Sequence, residues 1–224
     1  MKNKQTRRIF GWWLLIAVIY LLVPDTFILL AGHTKQLTGQ LIGIMGMLIT
    51  YLGLIWGGWR LYRRINHLNK MKLTVFQRLQ WVIGMYFVLI LIVGGLTLLN
   101  QLIYHQSQTA NNQVIIDLVK QGPLMKWLFG VSTIIFAPII EELIFRGLML
   151  NLWPHPQATW TPMVVSSILF SLGHVSSNPI SFLIYFAMGM CFAYLYRQTG
   201  DLKNSMLIHI INNTLAMSSI LLMY

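Results

Sequence analysis

The chain has little acid: five Asp and Glu residues among 224, only two of them glutamates, against sixteen Lys and Arg. Charged residues of every kind amount to 9%, and cysteine occurs once, at Cys191. A soluble domain carries about a quarter charged residues to keep its surface wet, so that class is excluded. One cysteine closes no intramolecular disulfide and supplies no thiolate cluster. What the sequence has in excess is apolar side chain, 56% of the total. A net charge of +11 would suit nucleic acid, but the Lys and Arg residues fall between apolar runs instead of along one polar face. The expected partner is therefore a lipid bilayer, with no nucleic acid.

Seven apolar runs, at about 9–31, 38–59, 80–104, 124–152, 159–176, 179–197 and 204–224, are each long enough or nearly so to cross a hydrocarbon core. The sequence thus predicts an all-α, polytopic transmembrane helix bundle of about seven spans. It forms one integral membrane domain, with 1–123 holding spans one to three and an amphipathic connection, and 124–224 holding spans four to seven. Lys2, Lys4, Arg7 and Arg8 precede the first run, which lacks a small-residue cleavage site and reads as an uncleaved signal anchor. With the N-terminus cytoplasmic, twelve Lys and Arg fall inside and three, Lys35, Lys120 and Lys126, fall outside, with Arg146 within a span. That asymmetry supports a cytoplasmic N-terminus and an external C-terminus. Residues 114–120 in the long external connection read equally as a short interfacial helix or a partly ordered loop. Pro154, Pro156, Trp153 and Trp160 predict a tight turn at a membrane surface, and Asp25 beside Pro24 predicts a break or end of the first helix. Gly53 with Gly57, and Gly189 with Ala193, are spaced for close helix contact, read as packing within the bundle with a dimer interface as the alternative.

The two glutamates are adjacent, in Pro138-Ile139-Ile140-Glu141-Glu142-Leu143-Ile144-Phe145-Arg146-Gly147 of the fourth run. An ionised side chain at the centre of a membrane helix costs roughly 2.5–3.5 kcal/mol on insertion scales, so something must offset two acids and an arginine there. Glu142 and Arg146 are four apart and share a helix face, where they can pair. Glu141 projects about 100° away and is not consumed by that pairing. A purely structural ion-pair lock between helices is the alternative. Two further runs carry matching polar groups: Phe170-Ser171-Leu172-Gly173-His174, and His209-Ile210-Ile211-Asn212-Asn213. In each, residues four apart stack on one helix face. A polar group in hydrocarbon needs a partner, and these three segments offer partners to one another. Counted at about 1.5 Å per residue from the cytoplasmic ends, Glu141 lies roughly 18 Å deep and His174 roughly 22 Å, but His209 only about 9 Å. The last span must start earlier, tilt, or border a cavity open to the cytosol. His33, His67, His105 and His155 fall in connections.

Glu-Glu-x-x-x-Arg at 141–146, Phe-x-x-x-His at 170–174 and His-x-x-x-Asn at 209–213, in that order and on separate spans, resemble the three motifs of the CPBP family of intramembrane endopeptidases. That family is also called Abi or CAAX-protease-like, and it includes type II CAAX prenyl endopeptidases and bacterial proteins of bacteriocin processing or self-immunity. The resemblance covers roughly 124–224. It implies a glutamate-dependent endopeptidase in which Glu141 is the general base, supported by Glu142 and Arg146, with His174, His209 and Asn213 completing the site.

Amide hydrolysis needs an activated water and donors for the charge that develops on the carbonyl oxygen. A carboxylate partly desolvated between apolar helices is a stronger base than one in water. His209 and Asn213 suit the donor role, and His174 suits positioning the water or protonating the leaving amine. Two histidines and a carboxylate also suit a catalytic zinc with a place left for water. There is no His-Glu-x-x-His element, and Asn213 suits an oxyanion donor better than a zinc ligand, so no metal or other cofactor is expected, with zinc as the alternative. The expected substrate is a membrane-associated peptide or protein entering from the bilayer or the cytosolic leaflet, and a bacteriocin-like or signalling precursor suits a bacterial cytoplasmic membrane better than a prenylated one. Two rivals stand: a non-enzymatic immunity or scaffold protein that keeps the motifs for structure, and a small transporter using Glu141 and the histidines as a proton relay. The chain shows no repeated halves of the kind transporters use.

Overall fold

Long apolar stretches leave the backbone no partner but itself, so every span closes its hydrogen bonds as helix. The computed structural model describes residues 2–153 and 159–223, with the backbone alone over 2–6. Among the described residues there are eight helices and no strand. They are α1 (Lys2–His33), α2 (Leu37–Ile65), α3 (Val75–Tyr104), α4 (Ala110–Val119), α5 (Pro123–Leu152), α6 (Trp160–Leu172), α7 (Pro179–Thr199) and α8 (Leu202–Met223). Six are long and apolar enough to cross a membrane, and α6 is a shorter apolar helix of 13 residues. This is the multi-pass bundle that the apolar runs predict. The lipid-facing character is plain on α3, where only Val82, Leu89 and Asn100 are buried while Ile83, Phe87, Leu91 and Leu98 stand exposed. A soluble protein does not present such a surface.

Local sequence sets the helix ends. Thr74 and Gln77 form a reciprocal capping box at the start of α3, and Asn178 with Ser181 does the same for α7, where Pro179 fills the first helical position. Gly200, at φ +64°, turns α7 into α8. A Cβ there would stand 2.1 Å from the Asn69 carbonyl oxygen, so both conformation and space require glycine. Thr109 caps α4 by accepting from the Asn112 N–H at 3.2 Å, so residues 110–119 form a helix, not a loop.

Several expectations change. Asp25 does not end the first helix, because α1 runs through Pro24 to His33; membrane helices tolerate proline where neighbours make good the lost bond. Gly53 and Gly57 meet no other helix within 4 Å, whereas Gly43 and Gly46 lie against Ala31 and Phe27 of α1, and Gly189 lies against Ser167. The bundle packs through those positions instead. The α6 helix stops at Leu172, so His174 follows the helix instead of riding on it. Pro154, His155 and Pro156 lie outside the described residues, and the expected turn there with them.

The two ends of the bundle are each tied together. At the basic end, Met71 N–H donates to the Thr199 carbonyl at 3.0 Å, and Lys70 and Arg78 pair with Asp201 at 3.2 and 3.5 Å. Asn151 receives the His67 N–H and donates to the Tyr196 hydroxyl. At the opposite end, Asn111 N–H donates to the Val175 carbonyl, Gln106 accepts from Asn178, and Thr109 meets the Tyr185 hydroxyl at 2.8 Å.

This arrangement also answers the depth question. A Cβ on Gly147 would stand 3.0 Å from Leu202, so α8 starts level with a residue five positions inside the end of α5. That recess is about 7.5 Å, and seven residues onward His209 reaches about 18 Å, the depth of Glu141.

Candidate active site

The site is built around irregular turns in α5. Residues Ser132–Phe136 and Glu142–Leu148 are wound as π-helix. The first widening precedes Pro138, which has no N–H to give and whose ring would strike the carbonyl four residues back. There the Ala137 N–H reaches instead to Ser132, five residues back. The second begins at Glu142, and such bulges recur at functional sites.

Glu142 is entirely buried and fully engaged. Its Oε1 accepts from Arg146 at 2.7 Å and from His209 Nδ1 at 3.0 Å, and its Oε2 accepts from the Ser205 hydroxyl. Arg146, also without exposure, donates to the Gly189 carbonyl at 3.1 Å and lies over the Phe170 ring at 4.4 Å. The phenylalanine of the second motif is thus a platform for the arginine of the first. An ionised carboxylate can only accept, so His209 carries its proton on Nδ1 and presents Nε2 on the far side. Phe192 stacks on that ring at 4.6 Å and holds its plane.

Glu141 is held differently. The Tyr20 hydroxyl donates to its Oε1 at 2.5 Å, while its Oε2 stands 3.7 Å from His209 Nε2. That gap is too long for a direct hydrogen bond and is of the kind a water molecule bridges. Asn213, one turn beyond His209, donates from Nδ2 to the Thr133 carbonyl at 3.0 Å and keeps a second N–H. His174 donates from Nδ1 to the Phe170 carbonyl at 2.8 Å and stacks on Tyr185 at 4.3 Å, which leaves its Nε2 for the cavity.

Glu141, His174, His209 and Asn213 all line one cavity of about 490 Å³, together with Tyr20 and Tyr185. The volume lies within the usual range for ligand pockets. Glu142 and Arg146 do not touch it; they stand behind the wall and orient His209. Among the described residues no three of His, Cys, Asp and Glu converge closely enough to hold a metal ion.

Sequence reasoning missed Tyr20, Asp25 and Ser205. Ser205 lies four residues before His209, so helical spacing already put it on the working face of α8. Tyr20 and Asp25 are polar groups of a largely apolar span that carries none of the three motifs. If Tyr20 orients the base, Tyr20→Phe lowers kcat by about 10–10²-fold with KM little changed, since a hydrogen bond to a charged group contributes about 1.5–3 kcal/mol. Steady-state cleavage by the variant checks this, and a change in KM alone would assign Tyr20 to substrate binding.

Comparison with known proteins agrees with the motif reading. Residues 123–215 match the model of the type II CAAX prenyl endopeptidase Rce1-like family, which bears out the resemblance over that segment. The chain is 27% identical over 147 residues to "Putative membrane peptidase YdiL" of Bacillus subtilis, covering 65% of this chain and 58% of that protein. It is 30% identical over 113 residues to UPF0177 protein YaiF of Lactococcus lactis, half of each chain, and 32% identical over 85 residues to UPF0177 protein YaiH of the same organism, 38% of this chain and 34% of that one. The chain thus spans between a third and three fifths of the length of these relatives. No solved structure matches it.

Proposed function

We propose, from a segment at 123–215 that carries the type II CAAX endopeptidase pattern, that this multi-pass membrane protein is an intramembrane endopeptidase whose base is Glu141. The observation that supports it is the division of labour between the two acids: Glu142 takes the whole ion pair, and Glu141 keeps one oxygen toward His209 and the cavity.

A water between Glu141 Oε2 and His209 Nε2 is oriented by two acceptors. Glu141 removes its proton as the oxygen attacks the peptide carbonyl carbon, and the free N–H of Asn213 takes the charge that forms on the carbonyl oxygen. The same proton then passes from Glu141 to the leaving nitrogen as the C–N bond breaks. The donor role that His209 and Asn213 share in the sequence reading falls to Asn213 alone in this scheme, because the His209 Nδ1 proton is spent on Glu142. His174 Nε2 accepts from a substrate N–H and aligns the strand. No metal enters this scheme. Its biological use is the trimming of a bacteriocin-like or signalling precursor, or self-immunity, in a bacterial cytoplasmic membrane.

The test is to map new peptide N-termini in membranes of cells making the wild-type protein or His209→Ala, then to cleave a peptide spanning a mapped site with purified protein in lipid nanodiscs, with and without a strong chelator. Sites that depend on His209 and survive chelation are expected. Stoichiometric zinc with chelator-sensitive cleavage would replace the metal-free scheme, and an absence of His209-dependent sites would leave a non-enzymatic protein.

A further inference from the structure

The side of the membrane from which the cavity is entered follows from which connections form its wall. Beyond the catalytic groups, that wall includes Gln108, Asn111 and Asn112 of the α3–α4 connection and first turn of α4, and Val175 of the α6–α7 turn. These segments lie at the end of the bundle opposite the basic loops, joined there by the Asn111–Val175 and Gln106–Asn178 bonds. Toward the basic end the cavity has a closed floor. Glu142, Arg146 and Ser205 form one layer without exposure, and Leu148, Tyr196 and Leu202 form a second, also at 0%. Over that floor residues 66–74 are strapped onto the α7–α8 turn by the Met71 bond and the Asp201 ion pairs. With twelve of the sixteen Lys and Arg at that end, it is the cytoplasmic one.

We infer that the catalytic cavity is entered from the extracytoplasmic side, and that its substrate is a peptide segment lying outside the membrane or in its outer leaflet: an exported peptide or an outward-facing stretch beside a transmembrane helix. This reverses the cytosolic entry expected from the sequence, and its substrate clause rests on the proposed endopeptidase reading. The rim chemistry fits a peptide. Gln108, Asn111 and Asn112 supply carboxamides, which both donate and accept as a backbone requires. Among the described residues that line the cavity, the carboxyl groups are Asp25 and Glu141, and there is no Lys or Arg, so nothing in the lining favours an acidic segment.

Entry is tested without any cleavage assay. In a full-length Cys191→Ala background, Asn212→Cys places a thiol on the inner wall, and Lys72→Cys places one on the exposed basic loop. A membrane-impermeant cationic thiol reagent added to intact cells is expected to label Asn212→Cys but not Lys72→Cys, with the reverse in inverted vesicles. Labelling of Asn212→Cys from the cytoplasmic face only, or protection of it on both faces, overturns the inference. The substrate side is read from the mapped N-termini: His209-dependent sites on outward segments support it, and sites on cytoplasmic segments overturn it. If no such sites exist while Asn212→Cys is labelled from outside, the endopeptidase reading fails and the outward entrance stands.

Discussion

Glu141→Gln is expected to lower the rate of peptide cleavage by about 10²–10⁴-fold, the range for loss of a positioned general base, with the fold intact. The amide has the shape of the acid, and its carbonyl oxygen still accepts the Tyr20 hydroxyl that now bonds Glu141 Oε1. What it cannot do is take a proton. Because the His209 Nε2 stands 3.7 Å from Glu141 Oε2, beyond direct hydrogen bonding, the change leaves the Glu142–His209 bond and the ion pair behind it alone. Thermal unfolding in detergent should therefore stay close to wild type, and substrate should still bind, so that KM holds while kcat collapses. Steady-state cleavage of a mapped peptide, read beside the melting temperature, checks both halves. Full activity in this variant would assign the three motifs to scaffolding and end the catalytic reading.

The candidate site is legible in the sequence to the extent that it rests on costly residues. Charges and carboxamides in hydrocarbon are few, so Glu141, Glu142, Arg146, His174, His209 and Asn213 announced themselves, and the cavity brings the four that touch it to one place. Helical spacing also separates the two glutamates in space, since a pair four apart shares a face and its neighbour does not. Two kinds of information were hidden. Tyr20 is an ordinary residue in an apolar span and gains its meaning only from a contact across 121 positions of sequence. The side of entry depends on which connections wall the cavity, and apolar run lengths do not record that. His174 falls between these cases. Its expected place on a helix gives way to a turn after Leu172, yet the ring still meets Phe170, because the chain folds back just where Gly173 ends the helix.

Removing the arginine behind the site has the larger consequence for stability. Arg146→Met leaves Glu142 wholly buried with only Ser205 and His209 as donors, and breaking a buried pair from one side typically costs about 3–5 kcal/mol. The same change removes the cation from over Phe170 and the bond to the Gly189 carbonyl, so the α5–α6–α7 contact loosens with it. The variant should melt well below wild type and accumulate poorly in the membrane. The double variant Glu142→Gln/Arg146→Met discriminates between the energetic and the orienting roles of the pair. With no charge left uncompensated, most of the lost stability should return, because a neutral amide in place of a carboxylate carries a far smaller burial penalty. Activity should not return with it. An amide oxygen holds the His209 Nδ1 proton more weakly than a carboxylate does, so the imidazole is free to turn and Nε2 no longer faces Glu141. Melting curves and cleavage rates of the single and double variants make the comparison. If the double variant regains both stability and cleavage, Glu142 and Arg146 serve packing alone; if it regains neither, the pair's contribution lies in the packed shape of the arginine side chain on Phe170 and not in its charge.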